Sequence, residues 1–303
     1  MHFELTILGC NGAIPAHDRH PTSQFLSYHG DGYLLDCGEG TQMQMARYNV
    51  KRGRLDHIFI THIHGDHFFG LMGLLTSFNL NYRETPLHIY GYAGMEEIVR
   101  THFRHAETQL RYDIIFHHVT ADAPRVIFEN NLLSVETIIL QHRIPTTGFL
   151  FREKEGLRKI IPSKIVEHDI PVHEIAGIKQ GKDFLTTAGV TIPNGQLTAD
   201  PSPSRSYAFC TDTVYTESFV EQIKGVDLLY HEATFIHEHR TRAAETMHST
   251  SKEAATIALK ANVGKLIVGH FSARYEDLTP LLEECREVFP NTELALEGRV
   301  FEI

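Results

Sequence analysis

The run Thr61-His62-Ile63-His64-Gly65-Asp66-His67 constrains this chain more than any other stretch of it. Three histidines and an aspartate within six positions, directly after the apolar Ile58-Phe59-Ile60, cannot all lie on one regular face. They read as a loop folded around metal, with Gly65 supplying the permissive backbone of the turn. His62 and His64, two apart, can converge on one cation, while Asp66 and His67 swing towards a second.

The rest of the chain supplies strands whose ends could meet that loop. Apolar alternation predicts strands over 2–9, Phe25–Tyr28, Tyr33–Asp36, Leu87–Tyr90, Ile114–Val119, Arg125–Phe128, Leu133–Leu140 and Phe149–Arg152. Further strands are expected at Tyr207–Cys210, Val226–Tyr230 and Leu266–Val268, with the first hairpin turned at Gly30-Asp31-Gly32. Helical spacing predicts helices over Phe68–Leu80, Met95–His105 and Ser251–Ala261, the last capped by Ser249, Thr250 or Ser251. Residues 152–185 mix both charges with Pro171 and read as an inserted surface arm. With no repeat and no low-complexity tract, a single domain over 1–303 is expected, of α/β class.

Three more ligand candidates stand just beyond strands: His142, Asp212 and His270. One cation would take His62, His64 and His142, the other Asp66, His67 and His270. Asp212, with two oxygens, is the natural bridge. Imidazole and carboxylate without thiolate suit Zn²⁺ best, with Mn²⁺, Fe and Co²⁺ remaining open. Two such cations roughly 3.5–4 Å apart can hold a hydroxide at neutral pH. Two dications, two aspartates and one hydroxide leave a site of about +1. The chain as a whole carries a formal charge of −10, which argues against loose adhesion to nucleic acid or anionic membrane. Any anionic substrate is therefore drawn by the site itself.

Downstream, Glu232 and His248 are left over once the seven ligands are assigned. A carboxylate-held imidazolium could protonate a leaving alkoxide; a helix N-terminus and a surface ion pair would equally account for the two. His117 and His118 should point to opposite faces of their strand, and His231, His237 and His239 read as solvated. The four cysteines (Cys10, Cys37, Cys210, Cys285) lie apart without a C-x-x-C pair and read as buried apolar residues. No basic segment followed by an apolar one opens the chain, and no apolar run nears the roughly 18 residues of a membrane span. A soluble cytoplasmic protein is expected.

His62-Ile63-His64-Gly65-Asp66-His67 matches the H-x-H-x-D-H signature of the metallo-β-lactamase superfamily. Leu35-Asp36-Cys37-Gly38-Glu39-Gly40-Thr41-Gln42 resembles the DCGEGTQ segment of the ribonuclease Z family of tRNA 3′-processing endonucleases. Leu8 to Pro15 with Arg19 and Ser23, His231 to Phe235, and His248-Ser249-Thr250 are similar to that family's other motifs, so the likeness runs from about residue 3 to 302. It implies an αββα sandwich, two Zn²⁺ per chain, a homodimer, and hydrolysis of precursor tRNA to leave a 3′-hydroxyl. By matching position it implies metal ligands at His62, His64, Asp66, His67, His142, Asp212 and His270. Asp66 would also accept a proton, and His248 with Glu232 would be the acid pair. The arm departs from the family's glycine- and proline-bearing element: Asp169-Ile170-Pro171-Val172-His173-Glu174 has no Gly-Pro pair. Residues 152–182 still carry seven basic against five acidic side chains, a polarity suited to backbone phosphates. A hydrolase of small phosphodiesters or aryl esters, and a non-catalytic RNA- or protein-binding scaffold, are the alternative readings.

Overall fold

Alternating apolar side chains build two seven-stranded sheets. The computed structural model describes residues 2–303. In chain order the strands are β1 (Phe3–Gly9), β2 (Ser23–Tyr28), β3 (Asp31–Cys37), β4 (Leu55–Phe59), β5 (Leu87–Gly91) and β6 (Ile114–His118). There follow β7 (Val126–Glu129), β8 (Leu133–Leu140) and β9 (Thr146–Glu153). Four two-residue strands come next: β10 (Lys159–Ile160), β11 (Phe184–Leu185), β12 (Thr191–Ile192) and β13 (Thr198–Ala199). The last five are β14 (Ser206–Cys210), β15 (Leu228–Glu232), β16 (Lys265–Gly269), β17 (Thr292–Leu294) and β18 (Val300–Glu302). One sheet runs β18-β1-β2-β3-β4-β5-β6, the other β17-β16-β15-β14-β9-β8-β7.

The period-two pattern sorts side chains between two cores. Leu34, Ile58 and Ile89 point outwards into a cluster with Leu71, Leu74, Leu75, Met95 and Val99, from the helices Leu71–Leu80 and Ala93–His105. Tyr33 and Phe59 point inwards, where Phe59 meets Phe149 and Phe151 of the facing sheet at 5.4 Å between ring centroids. The helices Ser251–Lys260 and Thr279–Val288 pack on the second sheet along β15, β16 and β17. This is an αββα sandwich. Parallel pairing of β3 through β6, and of β14 through β17, sets the carboxyl ends of those strands along one edge of each sheet.

Local differences from the expected elements have local causes. The β2–β3 hairpin turns at His29-Gly30, not Gly30-Asp31-Gly32. Tyr28 pairs with Asp31, and φ is 51° and 91° at the two loop residues. Two successive left-handed residues make the turn whose twist suits a hairpin, and glycine takes that geometry at no steric cost. The expected helix Phe68–Leu80 is broken into Gly65–Phe68 and Leu71–Leu80. At the break, Gly70 donates to the Cys37 carbonyl at 2.9 Å, and a Cβ there would lie 2.1 Å from the Gly38 oxygen. Thr250 proves to be the cap of Ser251–Lys260, in a reciprocal capping box with Glu253.

The chain divides into two compact units, residues 129–134 with 152–205 forming the smaller. The expected arm falls inside this unit, which continues to Arg205. It has its own apolar centre of Ile170, Ile178, Phe184 and Leu197. Pro171 precedes the helix Val172–Lys179 and starts it instead of interrupting it.

His117 and His118 do face opposite ways: His118 pairs with Glu96, while His117 stacks on Tyr90 at 4.3 Å. His57, His88 and His117 stand side by side on β4, β5 and β6, with centroids 5.0 and 5.2 Å apart. Burial, reinforced by His88, pushes His57 down to about 4. The unfolded chain therefore binds more protons than the native one between the ordinary histidine value and about 4. Stability from this residue is present above that window and is lost as pH falls through it. In His57→Gln, the fall in urea midpoint between about pH 7 and pH 5 should be shallower than in the parent protein. An unchanged slope would contradict this assignment.

Candidate metal centre

The histidine motif begins where β4 ends. Thr61, His62 and His64 lie in the connecting loop, but Asp66 and His67 stand on the single helical turn Gly65–Phe68 instead of in a loop. His142 follows β8, Asp212 follows β14 and His270 follows β16. Glu232 closes β15 as its last residue, not as part of a following loop. Asp36, Asp212 and His270 all adopt left-handed backbone, at φ 55°, 51° and 58°. Non-glycine residues rarely hold that conformation, and it concentrates where surrounding structure fixes a functional group.

All seven predicted ligand residues come together, as two groups. His62 Nε2 lies 2.9 Å from His64 Nδ1, which lies 3.3 Å from His142 Nε2. Asp212 Oδ2 faces this trio at 3.6 Å from His62 and 3.7 Å from His142. In the second group, Asp66 Oδ2 is 3.4 Å from the Nε2 atoms of both His67 and His270. Asp212 Oδ1 stands 3.2 Å and 3.1 Å from the same two nitrogens. The two oxygens of one carboxylate thus serve two nests of nitrogen.

The outward nitrogens explain why the inward ones are free. Thr61 gives its hydroxyl proton to Asp36 Oδ2 at 2.9 Å, so His62 Nδ1–H donates to the Thr61 oxygen at 3.0 Å. His67 Nδ1–H donates to Asp36 Oδ2 at 2.7 Å, and His142 Nδ1–H to the Met247 carbonyl at 3.0 Å. With Nδ1 committed outwards, each of these rings turns its Nε2 inwards, as the nitrogen that can serve as a ligand once it carries no proton. His67 Nε2 and His270 Nε2 are buried without a hydrogen-bond partner among the described residues. Orphaned buried nitrogens facing carboxylates suit a bound divalent cation.

The electrostatics point the same way. Burial works against a charged His67, yet Asp212, Asp66 and Asp36 outweigh it and hold the imidazole well above its ordinary range. Burial also opposes ionisation of Asp212, but His270, His67 and His62 keep it far below the usual carboxylate value. His62, by contrast, is pushed well down, chiefly by burial and then by His67. A site that must borrow positive charge from His67 to balance its acids is one that a cation would neutralise directly. Gly12 lies against this centre, and a Cβ there would sit 2.5 Å from the His270 ring. The next residue, Ala13, donates its N–H to Asp66 Oδ2 at 2.7 Å.

Glu232 and His248 meet beside the two groups. His248 Nδ1 is 2.9 Å from Glu232 Oε1, and its ring lies 5.2 Å from those of both His142 and His270. Burial would keep His248 neutral, but the Glu232 carboxylate overrides it and pushes the imidazole up to about 9. His231 is buried against Phe219 and donates to the Glu232 carbonyl at 2.7 Å, so it is not solvated as expected. His237 and His239 lie half-buried on a single 3₁₀ turn.

Asp36 and Thr61 were not singled out as site residues from spacing. Asp36 had a signal of its own: an acid at the end of an apolar strand has to be satisfied by something, and here His67 and Thr61 do it.

Residues 3–155 match the family model described as Anti-Pycsar protein Apyc1. Ribonuclease Z of Bacteroides thetaiotaomicron is 47% identical over 98% of this chain and 94% of its own length. Ribonuclease Z of Porphyromonas gingivalis is 42% identical over 97% of each. Among solved structures, the short form of human tRNase Z is similar with a TM-score of 0.73 and 28% identity, over 98% of both chains. The metallo-β-lactamase fold protein YhfI from Bacillus subtilis has a TM-score of 0.69 at 20% identity over the whole of both chains, a likeness of fold.

Proposed function

This chain belongs to the ribonuclease Z family and is a tRNA 3′-processing endonuclease of metallo-β-lactamase fold; from that premise we propose how its side chains divide the work. The reading assigns two Zn²⁺ per chain, one to His62, His64 and His142, the other to Asp66, His67 and His270, with Asp212 shared. The observation that carries it is the convergence of those donor atoms, with two buried Nε2 atoms that nothing else in the described structure satisfies. When bound, such a pair supplies a nucleophile at neutral pH and neutralises charge developing on the phosphodiester.

The chain's own groups do the rest. Asp66 accepts the proton lost by the attacking water, and the Ala13 N–H steadies the carboxylate through its Oδ2. Bond cleavage leaves the ribose 3′ oxygen on the tRNA and the phosphate on the released trailer. His248, protonated and held by Glu232, gives its proton to that departing oxygen. Glu232 is fully buried and fixed by the Thr213 N–H at 2.6 Å and the Ser249 N–H at 3.1 Å, so the imidazolium it steadies cannot wander.

The smaller unit is assigned to RNA contact. Arg158 and Lys179 border an open cleft of about 600 Å³ with Glu155, Asp200, Ser202 and Ser204; Arg158 is paired with Asp200 at 2.7 Å, a pair that a backbone phosphate would have to displace. A homodimer and a cytoplasmic location complete the reading; all four cysteines are buried and free, and no helix among the described residues is long and apolar enough to cross a membrane.

The test is a 3′-extended precursor tRNA incubated with zinc-loaded protein. Cleavage at one position beside the acceptor stem is expected. Intact RNA alongside rapid turnover of bis(p-nitrophenyl) phosphate would instead indicate a hydrolase of small diesters. The arm can be tested in the same assay, because the Glu153 N–H already meets the Arg205 carbonyl at 2.9 Å, and a two-residue turn can replace what lies between. That variant should lose most tRNA cleavage at low substrate and keep aryl diester turnover. Equal losses on both would assign the arm a structural role only.

A further inference from the structure

Glu232 does more than hold His248. Its other oxygen, Oε2, accepts the Thr234 hydroxyl at 2.5 Å, and Thr234 Oγ1 lies 2.9 Å from His270 Nδ1. A hydroxyl has one proton, and a carboxylate can only accept it. Thr234 therefore has only a lone pair to offer His270, whose Nδ1 must carry the hydrogen. In a neutral ring that choice makes Nε2 the lone-pair nitrogen, facing Asp66 and Asp212 from its buried, unpartnered position.

The same device occurs a second time on the facing sheet. There Asp36 accepts His67 Nδ1–H directly and holds His62 through Thr61. Glu232 likewise accepts His248 Nδ1–H directly and holds His270 through Thr234. Each buried carboxylate governs one imidazole at first hand and another through a threonine. On the Asp36 side both imidazoles belong to the proposed cation sites. On the Glu232 side one belongs to a cation site and the other is the proposed proton donor.

We propose that Thr234 is a positioning residue that fixes the tautomer of His270 on behalf of Glu232, so that one carboxylate sets both the proton donor and a cation-binding imidazole. This inference rests on the two-cation reading above. Thr234 is buried and its methyl group fills space, so the test separates hydroxyl from bulk with two variants, Thr234→Val and Thr234→Ser.

Metal-free protein is titrated with zinc against a competing chelator, and imidazole tautomers are read by ¹⁵N NMR of the same metal-free samples. Thr234→Val should bind the weaker of two zinc ions about 10–100-fold less tightly, the usual cost of losing an outer partner of a ligating histidine. It should also lose the Nδ1–H signal of His270. Thr234→Ser should restore both. Parental affinity and tautomer in Thr234→Val would overturn the proposal, as would equal impairment in the valine and serine variants, which would show a packing role. Failure of the parent protein to bind two zinc ions would overturn the underlying two-cation reading, a result distinguishable from either.

Discussion

Asp212→Asn is expected to lower tRNA cleavage by at least about 10³-fold and to bring zinc content below two per chain. The residue is 2% exposed, and each of its carboxylate oxygens faces two histidines of a different group. Asparagine keeps the shape but turns one of those oxygens into an N–H donor. A donor cannot share a cation with unprotonated imidazoles, so one nest loses its fourth partner and the pair loses its common one. The loss must appear in metal content as well as rate. Inactive Asp212→Asn that still holds two zinc ions at parental affinity would show that Asp212 acts on the substrate and does not bridge.

His248→Asn should produce a different signature. We expect kcat on precursor tRNA to fall by about 10²–10⁴-fold, the usual worth of a positioned acid, with zinc content unchanged. Glu232→Gln should cost at least as much and, unlike His248→Asn, should also weaken zinc binding, because Glu232 reaches His270 through Thr234. A p-nitrophenolate leaving group needs no proton, so bis(p-nitrophenyl) phosphate should be hydrolysed nearly as well by His248→Asn as by the parent. A loss as large on the aryl diester as on tRNA would remove His248 from the role of acid. The position of the imidazole, 2.9 Å from a fully buried carboxylate, is what makes the large effect specific to the poor leaving group.

How much of this could be read from sequence depended on whether a feature is local. The strand Leu133–Leu140 has the bounds its alternation indicates, and the motif 61–67 brings most of its ligands within one short stretch. His142, Asp212 and His270 were legible because a metal-ligating residue just past an apolar run stands out. Features decided by distant contacts were not. The break at Gly70 exists because the backbone at Cys37 and Gly38 crosses there, which no helical periodicity records. The arm's centre draws single apolar residues, Ile170, Ile178, Phe184 and Leu197, from separate short elements, so no window shows a period. The helix Thr279–Val288 buries chiefly Leu281 and Cys285 among charged neighbours, a narrow stripe with a weak signal. Thr61 and Thr234 are the clearest case. A threonine beside a ligand is an ordinary neighbour until coordinates show its hydroxyl between a buried carboxylate and an imidazole.

The placement of the site residues in three-dimensional space also explains their backbone. Asp36, Asp212 and His270 bend into left-handed conformation at the ends of β3, β14 and just beyond β16. Such residues cost of order 1–3 kcal/mol each unless their surroundings compensate. Metal-free protein should accordingly gain thermal stability on zinc addition, since a ligand bound only by the native state stabilises it in proportion to the logarithm of its excess over Kd.

Anomalous diffraction at the zinc edge, from crystals of zinc-loaded protein, is the most direct measurement. The account predicts two peaks per chain, roughly 3.5–4 Å apart, one among His62, His64 and His142, the other among Asp66, His67 and His270, with Asp212 between them. A single peak, or peaks lying elsewhere on the molecule, would contradict it.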